Sequence, residues 1–252
     1  MQKNRDYEGV PQDAPPIVRQ PRALISPQET WMSIPIGMPN CPTGLEYLTA
    51  VDQLLIKRQA DLVEVFFGCE MKNKSKIKNS SGENVYLAVE DTHCMTRNLC
   101  GSCRPFDIQI LDNFQNEVLH INRPLRCEYC CFPCCLQTLE VSSPPGTVIG
   151  NVEQEWSLFT PTYLIKNSYG ENVLRVKRPR FAIKCCANVE FDILAMNGDK
   201  IGKICKRWAG MEKELFTDAD YYGVSFPIEL DVRMKAVLLS ATFLIDMLHF
   251  GY

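Results

Sequence analysis

The stretch IKNSSGENV, Ile77 to Val85, recurs as IKNSYGENV from Ile165 to Val173, with Tyr169 in place of Ser81 as the one difference. Each copy centres on Asn-Ser-x-Gly-Glu-Asn, whose Asn, Ser and Gly supply the left-handed backbone a tight hairpin needs. The motif FDI follows both copies, at Phe106 and at Phe191, with a three-residue change in offset. A repeat of this kind predicts two similar halves.

Outward from the repeat, the chain between Val85 and Trp208 breaks into short runs separated by Gly, Asn, Asp and Pro. In FDIQILD the apolar Phe106, Ile108 and Ile110 alternate with Asp107 and Gln109, and in NVLRVKR Leu174 and Val176 alternate with Arg175 and Lys177. Period-two alternation marks half-buried strands. VYLAVED, EVLHINR, TVIGNVEQEW, TYLIKN, FDILAM and KIGKICKRW read the same way. The count approaches ten, which suggests a closed or nearly closed antiparallel barrel in a mainly β fold.

Before the barrel, eight of the sixteen prolines fall at or before Pro42 with no apolar period between them. Residues 1–42 therefore read as a short proline-rich disordered arm, and 43–231 as the barrel domain. Leu45 to Phe66 fits helical spacing only in part and reads as mixed helix and strand.

With 252 residues, 46% of them hydrophobic, the chain has the composition of an ordinary globular protein. A net charge of -3 argues against a generally basic nucleic-acid surface. The N-terminus has no apolar run of signal-peptide type, so a cytosolic chain with reduced thiols is expected.

Thiols are plentiful. RCEYCCFPCCL, Arg126 to Leu136, holds five of the thirteen cysteines. Three uses stay open for them. Disulfides suit neither a reducing compartment nor vicinal pairs such as Cys130-Cys131. Zinc would take the knuckles Cys100-x-x-Cys103 and Cys127-x-x-Cys130, but leaves Cys131, Cys134 and Cys135 unexplained. Acylation of clustered thiols beside Phe132 and Leu136 accounts for the density, and several acyl chains anchor where one does not.

The last segment, 232–252, is the most hydrophobic. Ala236 to Ile245, including Leu239 and Phe243, carries no charge, but Asp246 and His249 interrupt the next turn. The run is short of the ~20 residues a bilayer span needs. Arg233 and Lys235 nevertheless stand at its leading edge, where an anchor would want them. A helix apolar all round also fills a barrel, so plug and span both remain.

Just before it, DADYYGVSFPIE places Asp218, Asp220, Gly223 and Glu229 at positions 1, 3, 6 and 12 of a calcium loop. Tyr222, Val224 and Phe226 take positions 5, 7 and 9. So few carboxylates suit only weak calcium, with a Kd of ~10⁻⁴–10⁻³ M.

From Cys41 onward the chain closely resembles the phospholipid scramblase family. The motifs that carry the resemblance are CPTGLEYL, IKNSSGENVYLAVED, RPLRC followed by CCFPCC, PPGTVIG, GKICKRWAG, FTDADYYGVSFP, and LDVRMKAV with FLID. The resemblance implies a tubby-like barrel of twelve antiparallel strands around the hydrophobic C-terminal helix. It implies calcium-responsive, ATP-independent scrambling of phospholipids between leaflets, with no covalent reaction; nothing here looks like a Walker phosphate loop.

The family's palmitoylation motif falls on Cys130, Cys131, Cys134 and Cys135, with Phe132 where the family usually has another Cys. Its calcium segment falls on Asp218 to Glu229, with Tyr221 and Tyr222 replacing an Asn-Phe pair and Glu229 replacing an Asp. Its nuclear import signal, which an importin would read, falls on Gly202 to Gly210, with Lys203, Lys206 and Arg207 as the basic residues. The arm is short and lacks PPxY, so the family's SH3 and WW partners are not expected. Membrane phospholipids and further copies of the chain are the partners implied. The location implied is the cytoplasmic face of the plasma membrane, single-pass or acyl-tethered, with the nucleus as a second. The alternative is an acyl-tethered, tubby-like lipid- or protein-binding module with a signalling or nuclear role and no intrinsic transport.

Overall fold

The computed structural model describes residues 30–35, 41–59, 73–91, 104–126, 136–143, 146–157, 160–179, 190–206 and 221–250. Twelve strands form one closed barrel: β1 (Gln53–Gln59), β2 (Lys74–Lys78), β3 (Asn84–Glu90), β4 (Phe106–Leu111), β5 (Glu117–Arg123), β6 (Thr138–Ser143), β7 (Thr147–Glu155), β8 (Thr162–Asn167), β9 (Asn172–Lys177), β10 (Glu190–Ala195), β11 (Lys200–Lys206) and β12 (Tyr221–Ser225). Every sequential pair is antiparallel, and β1 closes the ring on β12, with Leu54 opposite Val224. The helix α1 (Val232–Ile245) follows, continued by one wider π-helical turn, Asp246–Phe250.

Closure explains the alternation. In β4 every second residue, Phe106, Ile108 and Ile110, is buried in the lumen, and a closed sheet leaves no edge unpaired. The repeat forms the hairpins β2–β3 and β8–β9, which are built alike. In each, the turn's first Asn donates its backbone N–H to the Glu carbonyl, at 3.0 Å for Asn79 to Glu83 and 3.1 Å for Asn167 to Glu171. The Asn side chain binds that Glu twice more, and the Gly before it takes the left-handed conformation, φ 83° at Gly82 and 79° at Gly170. That is the reason for Gly there.

An up-and-down meander sends alternate connections to opposite ends. At one pole lie the tight turns β2–β3, β4–β5, β6–β7, β8–β9 and β10–β11, together with the start of α1. At the other pole the strand ends are joined by the longer stretches 60–73, 91–105, 124–137, 178–189 and 207–220, and α1 ends there.

Three strands that the alternation did not mark, β2, β6 and β12, complete the ring, and β1 lies inside the stretch read as mixed. Lys74–Lys78 buries only Ile77, so its pattern is faint. Leu45 to Gln59 is a 3-10 turn, Glu46–Ala50, followed by β1. Barrel contact also begins before residue 43: Met32 donates its N–H to the Asn84 carbonyl at 2.9 Å, and Asn84 to that of Thr30 at 2.9 Å. The rest of the expected arm, residues 1–29 and 36–40, lies outside the described residues.

Candidate functional site

Helix α1 occupies the lumen. Met234 to Met247 are all buried, so the helix has no polar face. Fourteen residues rise ~21 Å, against ~30 Å of bilayer hydrocarbon. No described helix is long and apolar enough to cross a membrane. Of the two placements left open, the structure adopts the plug: Ala236, Leu239 and Ile245 are fully buried against the strands, and Phe243 sits edge-on to Tyr222 at 6.2 Å.

The helix's own polar groups are satisfied inside the lumen, whereas Tyr47 OH and Gln137 Nε2 are buried without a partner among the described residues. Ser240 Oγ and Thr242 Oγ1 donate back to the Ala236 and Leu238 carbonyls. Asp231 caps the helix, accepting from the N–H groups of Arg233 and Met234. Lys235, fully buried, donates its ammonium to the carbonyls of Leu48 (2.8 Å), Val51 (2.9 Å) and Ile228 (2.7 Å), with the Phe226 ring at 5.3 Å. Burial pulls its pKa down to about 8 against the opposing pull of Asp52 and Glu229. Three acceptors for three protons keep it charged at neutral pH.

At the helix's other end the partners are side chains. Asp246 pairs with Arg58 from the last turn of β1, and Arg58 also lies over the Tyr222 ring at 5.7 Å. Burial raises the Asp246 pKa, and Arg58 opposes the rise. Arg123, fully buried at the end of β5, donates to Gln137 Oε1 (2.6 and 3.1 Å), to the Arg104 carbonyl (3.1 Å) and to Met247 Sδ (2.7 Å). Arg104 in turn pairs with Glu90 at 2.9 Å. His249 shares a hydrogen bond with Tyr163 OH at 2.6 Å and lies against Phe191. Burial, aided by Arg178, lowers its pKa to about 4, so the ring is neutral at pH 7.

Of this polar girdle of Arg58, Asp246, Tyr222, Arg123 and His249, only Tyr222 was singled out from sequence as a site residue, and that as a calcium position. Asp246 and His249 stood out only as interruptions of an apolar run. Their partners are more than 80 residues away in the chain, beyond the reach of any local pattern.

The acidic stretch is divided by the fold. Tyr222 and Val224 lie on β12, flanked by β1 and β11, with both side chains buried. Phe226, one residue past the strand, is buried beside Lys235. Of the expected calcium positions, Tyr222, Val224 and Phe226 are therefore core side chains, and Glu229 is exposed beyond the end of β12. Asp218 and Asp220 lie outside the described residues. Among the described residues no group of three or more His, Cys, Asp or Glu could hold a metal.

Cys130, Cys131, Cys134 and Cys135, like both zinc knuckles, lie outside the described residues. The stretch 127–135 joins the end of β5 to the start of β6, and 92–103 leads into β4; the register sets Phe106 opposite Arg123, so the two stretches leave from neighbouring strand ends. Of the basic patch, Lys203 pairs with Glu190 at 3.3 Å and Lys206 donates to the Phe250 carbonyl at 2.8 Å. Arg207 lies outside the described residues.

A protein-family model described as Scramblase matches residues 32–252. The chain is 50% identical to "Phospholipid scramblase 2" of Bos taurus, covering 96% of this chain and 82% of that one. It is 49% identical to "Phospholipid scramblase 1" of Homo sapiens (87% and 70%) and 38% identical to "Phospholipid scramblase 4" of Homo sapiens (93% and 73%). No solved structure matches the chain.

Proposed function

The chain belongs to the scramblase family, and from that premise we propose that it works at membranes, speeding the passive movement of phospholipids between leaflets without ATP, in response to calcium. The observation that carries this reading is near-50% identity to proteins named phospholipid scramblases over most of both chains. Acyl groups on Cys130, Cys131, Cys134 and Cys135 serve as the tether, and Asp218 and Asp220 as the calcium-sensitive carboxylates.

Energetics favour the barrel acting with its helix inside. Burying one large apolar side chain is worth ~1.5–3 kcal/mol. Moving Val237, Leu238, Leu239, Phe243, Leu244 and Ile245 from the lumen into a bilayer exchanges one apolar surrounding for another, but it uncovers the strands' inward side chains, each worth about 1.5–3 kcal/mol where it meets water. On this reading the folded barrel sits on the bilayer and lowers the barrier from the surface, by local thinning or by self-association.

Reconstitution into vesicles with leaflet-labelled lipid tests the proposal: calcium should accelerate mixing, and Asp218→Ala with Asp220→Ala should abolish the calcium response. No mixing above empty vesicles would sink it. The buried helix also favours a second reading, an acyl-tethered binding module without intrinsic transport. Protease access to an epitope placed after Tyr252 tests whether the plug persists at the membrane, since only a span gives protection inside sealed vesicles. Zinc is the competing use of the thiols, supported by the neighbouring strand ends; one equivalent co-purifying, and lost in Cys100→Ser/Cys103→Ser, would establish it.

A further inference from the structure

The tight-turn pole carries an open cleft of about 400 Å³ between the β6–β7 and β8–β9 turns and the first turn of α1. That volume lies within the range of small-ligand sites. Its floor is Val148 and Ile149, and its polar lining is the hydroxyls of Thr43, Ser143, Thr147 and Ser168 with the side chain of Arg233. Ser143 donates to the Val118 carbonyl. Among the described residues, the Arg233 guanidinium and the other three hydroxyls have no hydrogen-bond or ion-pair partner.

One guanidinium ringed by hydroxyl donors is the donor set a phosphate oxygen takes. Two carboxylates neighbour the lining residues along the chain: Asp231, held by the N–H groups of Arg233 and Met234, and Glu46, which accepts at 2.7 Å from the N–H of Gly44, next to Thr43. Positive charge in the cleft with negative charge at its edge matches a zwitterion better than a bare anion. Apolar side chains also stand exposed at this pole. Of the seven large hydrophobic side chains exposed among the described residues, Phe114, Tyr169, Met196 and Ile228 project at this pole, Tyr169 at 87% exposure beside Ser168. Aromatic and apolar side chains raised on turns around a polar cleft suit a bilayer interface.

We infer that this cleft receives the phosphodiester of a zwitterionic phospholipid headgroup, with Arg233 on the phosphate and Tyr169 seated in the interface. The inference rests on the phospholipid reading above and says where on the chain lipid is met. Residues 127–135 join strand ends at the opposite pole, so the cleft and the proposed acyl tether address lipid from two ends of the barrel.

Flotation of the full-length, unacylated chain with phosphatidylcholine vesicles tests it, against vesicles of a galactolipid that lacks phosphate. Arg233→Gln should weaken binding to the first roughly tenfold, the loss of one charge-assisted pair, and leave the second unchanged. Arg233→Lys should recover part of the loss, and glycerophosphocholine should compete more strongly than inorganic phosphate. Equal binding of Arg233→Gln and the parent to phosphatidylcholine, with both folded by circular dichroism, overturns the site. Competition by inorganic phosphate as strong as by glycerophosphocholine overturns the headgroup assignment. A tenfold Arg233→Gln effect without any leaflet mixing supports the cleft and sinks the transport reading. Leaflet mixing with no Arg233→Gln effect does the reverse.

Discussion

At the tight-turn pole the buried helix is held by Lys235, whose ammonium meets three backbone carbonyls; at the opposite pole it is held by Asp246, which meets the side chains of Arg58 and Tyr222. Carbonyls at Leu48, Val51 and Ile228 are placed by the backbone itself and do not titrate. A carboxylate paired with an arginine that keeps a third of its exposure can be loosened by salt or a competing ion. One end of the helix is therefore fixed by the fold, while the other is held by chemistry that conditions can change. The adjustable end is also where the stretches bearing the candidate thiols and Asp218 join the barrel.

The largest effect should come from breaking the fixed end. Lys235→Met leaves three buried carbonyls without a donor and should cost about 3–5 kcal/mol. That lowers the melting temperature by roughly 10 °C in a chain of this size. Asp246→Asn should cost less, about 2 kcal/mol, because Arg58 can still reach solvent. If the two variants melt together, the contrast between the poles is wrong.

Acid should separate them next. His249 has a folded pKa near 4, below its ordinary value of 6.5, so the unfolded chain binds its proton first. Stability from this residue is full above about pH 6.5 and is lost as pH falls toward 4. Asp246 works in the opposite sense, since its raised pKa makes the folded state hold its proton longer and gain relative stability as pH falls toward its ordinary value of 3.8. Hydrogen exchange should thus show Asp246 to Phe250 loosening between pH 6.5 and 4 while the amides around Lys235 do not change, and His249→Phe should remove the effect. The smallest change expected is at the repeat. Gly170→Ala meets no neighbour within 4 Å but must take φ near +79°, costing ~1 kcal/mol and leaving both helix ends intact.

Much of the fold could be read from local pattern. The duplicated turn found both matching hairpins, and alternation found β3, β4, β5, β7, β8, β9, β10 and β11, because each of these buries one face. β12 escaped because its Asp, Gly and Glu neighbours match a cation-loop template and the strand is only five residues long. β2 escaped because three lysines surround its single buried residue, Ile77. Of the candidate site, the apolar helix was legible, but its surroundings were not. Arg58, Arg123 and Tyr163 look like ordinary strand residues until closure turns them toward Asp246, Met247 and His249.

The sequence by itself determined the family, the two-fold repeat, the strand-rich class and a C-terminal segment too apolar for a free surface, since all of these follow from residue type at short spacing. Only the tertiary structure decided between span and plug, set Tyr222 and Val224 inside a strand, and gave the two poles different chemistry. Those outcomes depend on which strand ends meet in space, and ring closure, which pairs β1 with β12 across most of the chain, is a property that no local window contains.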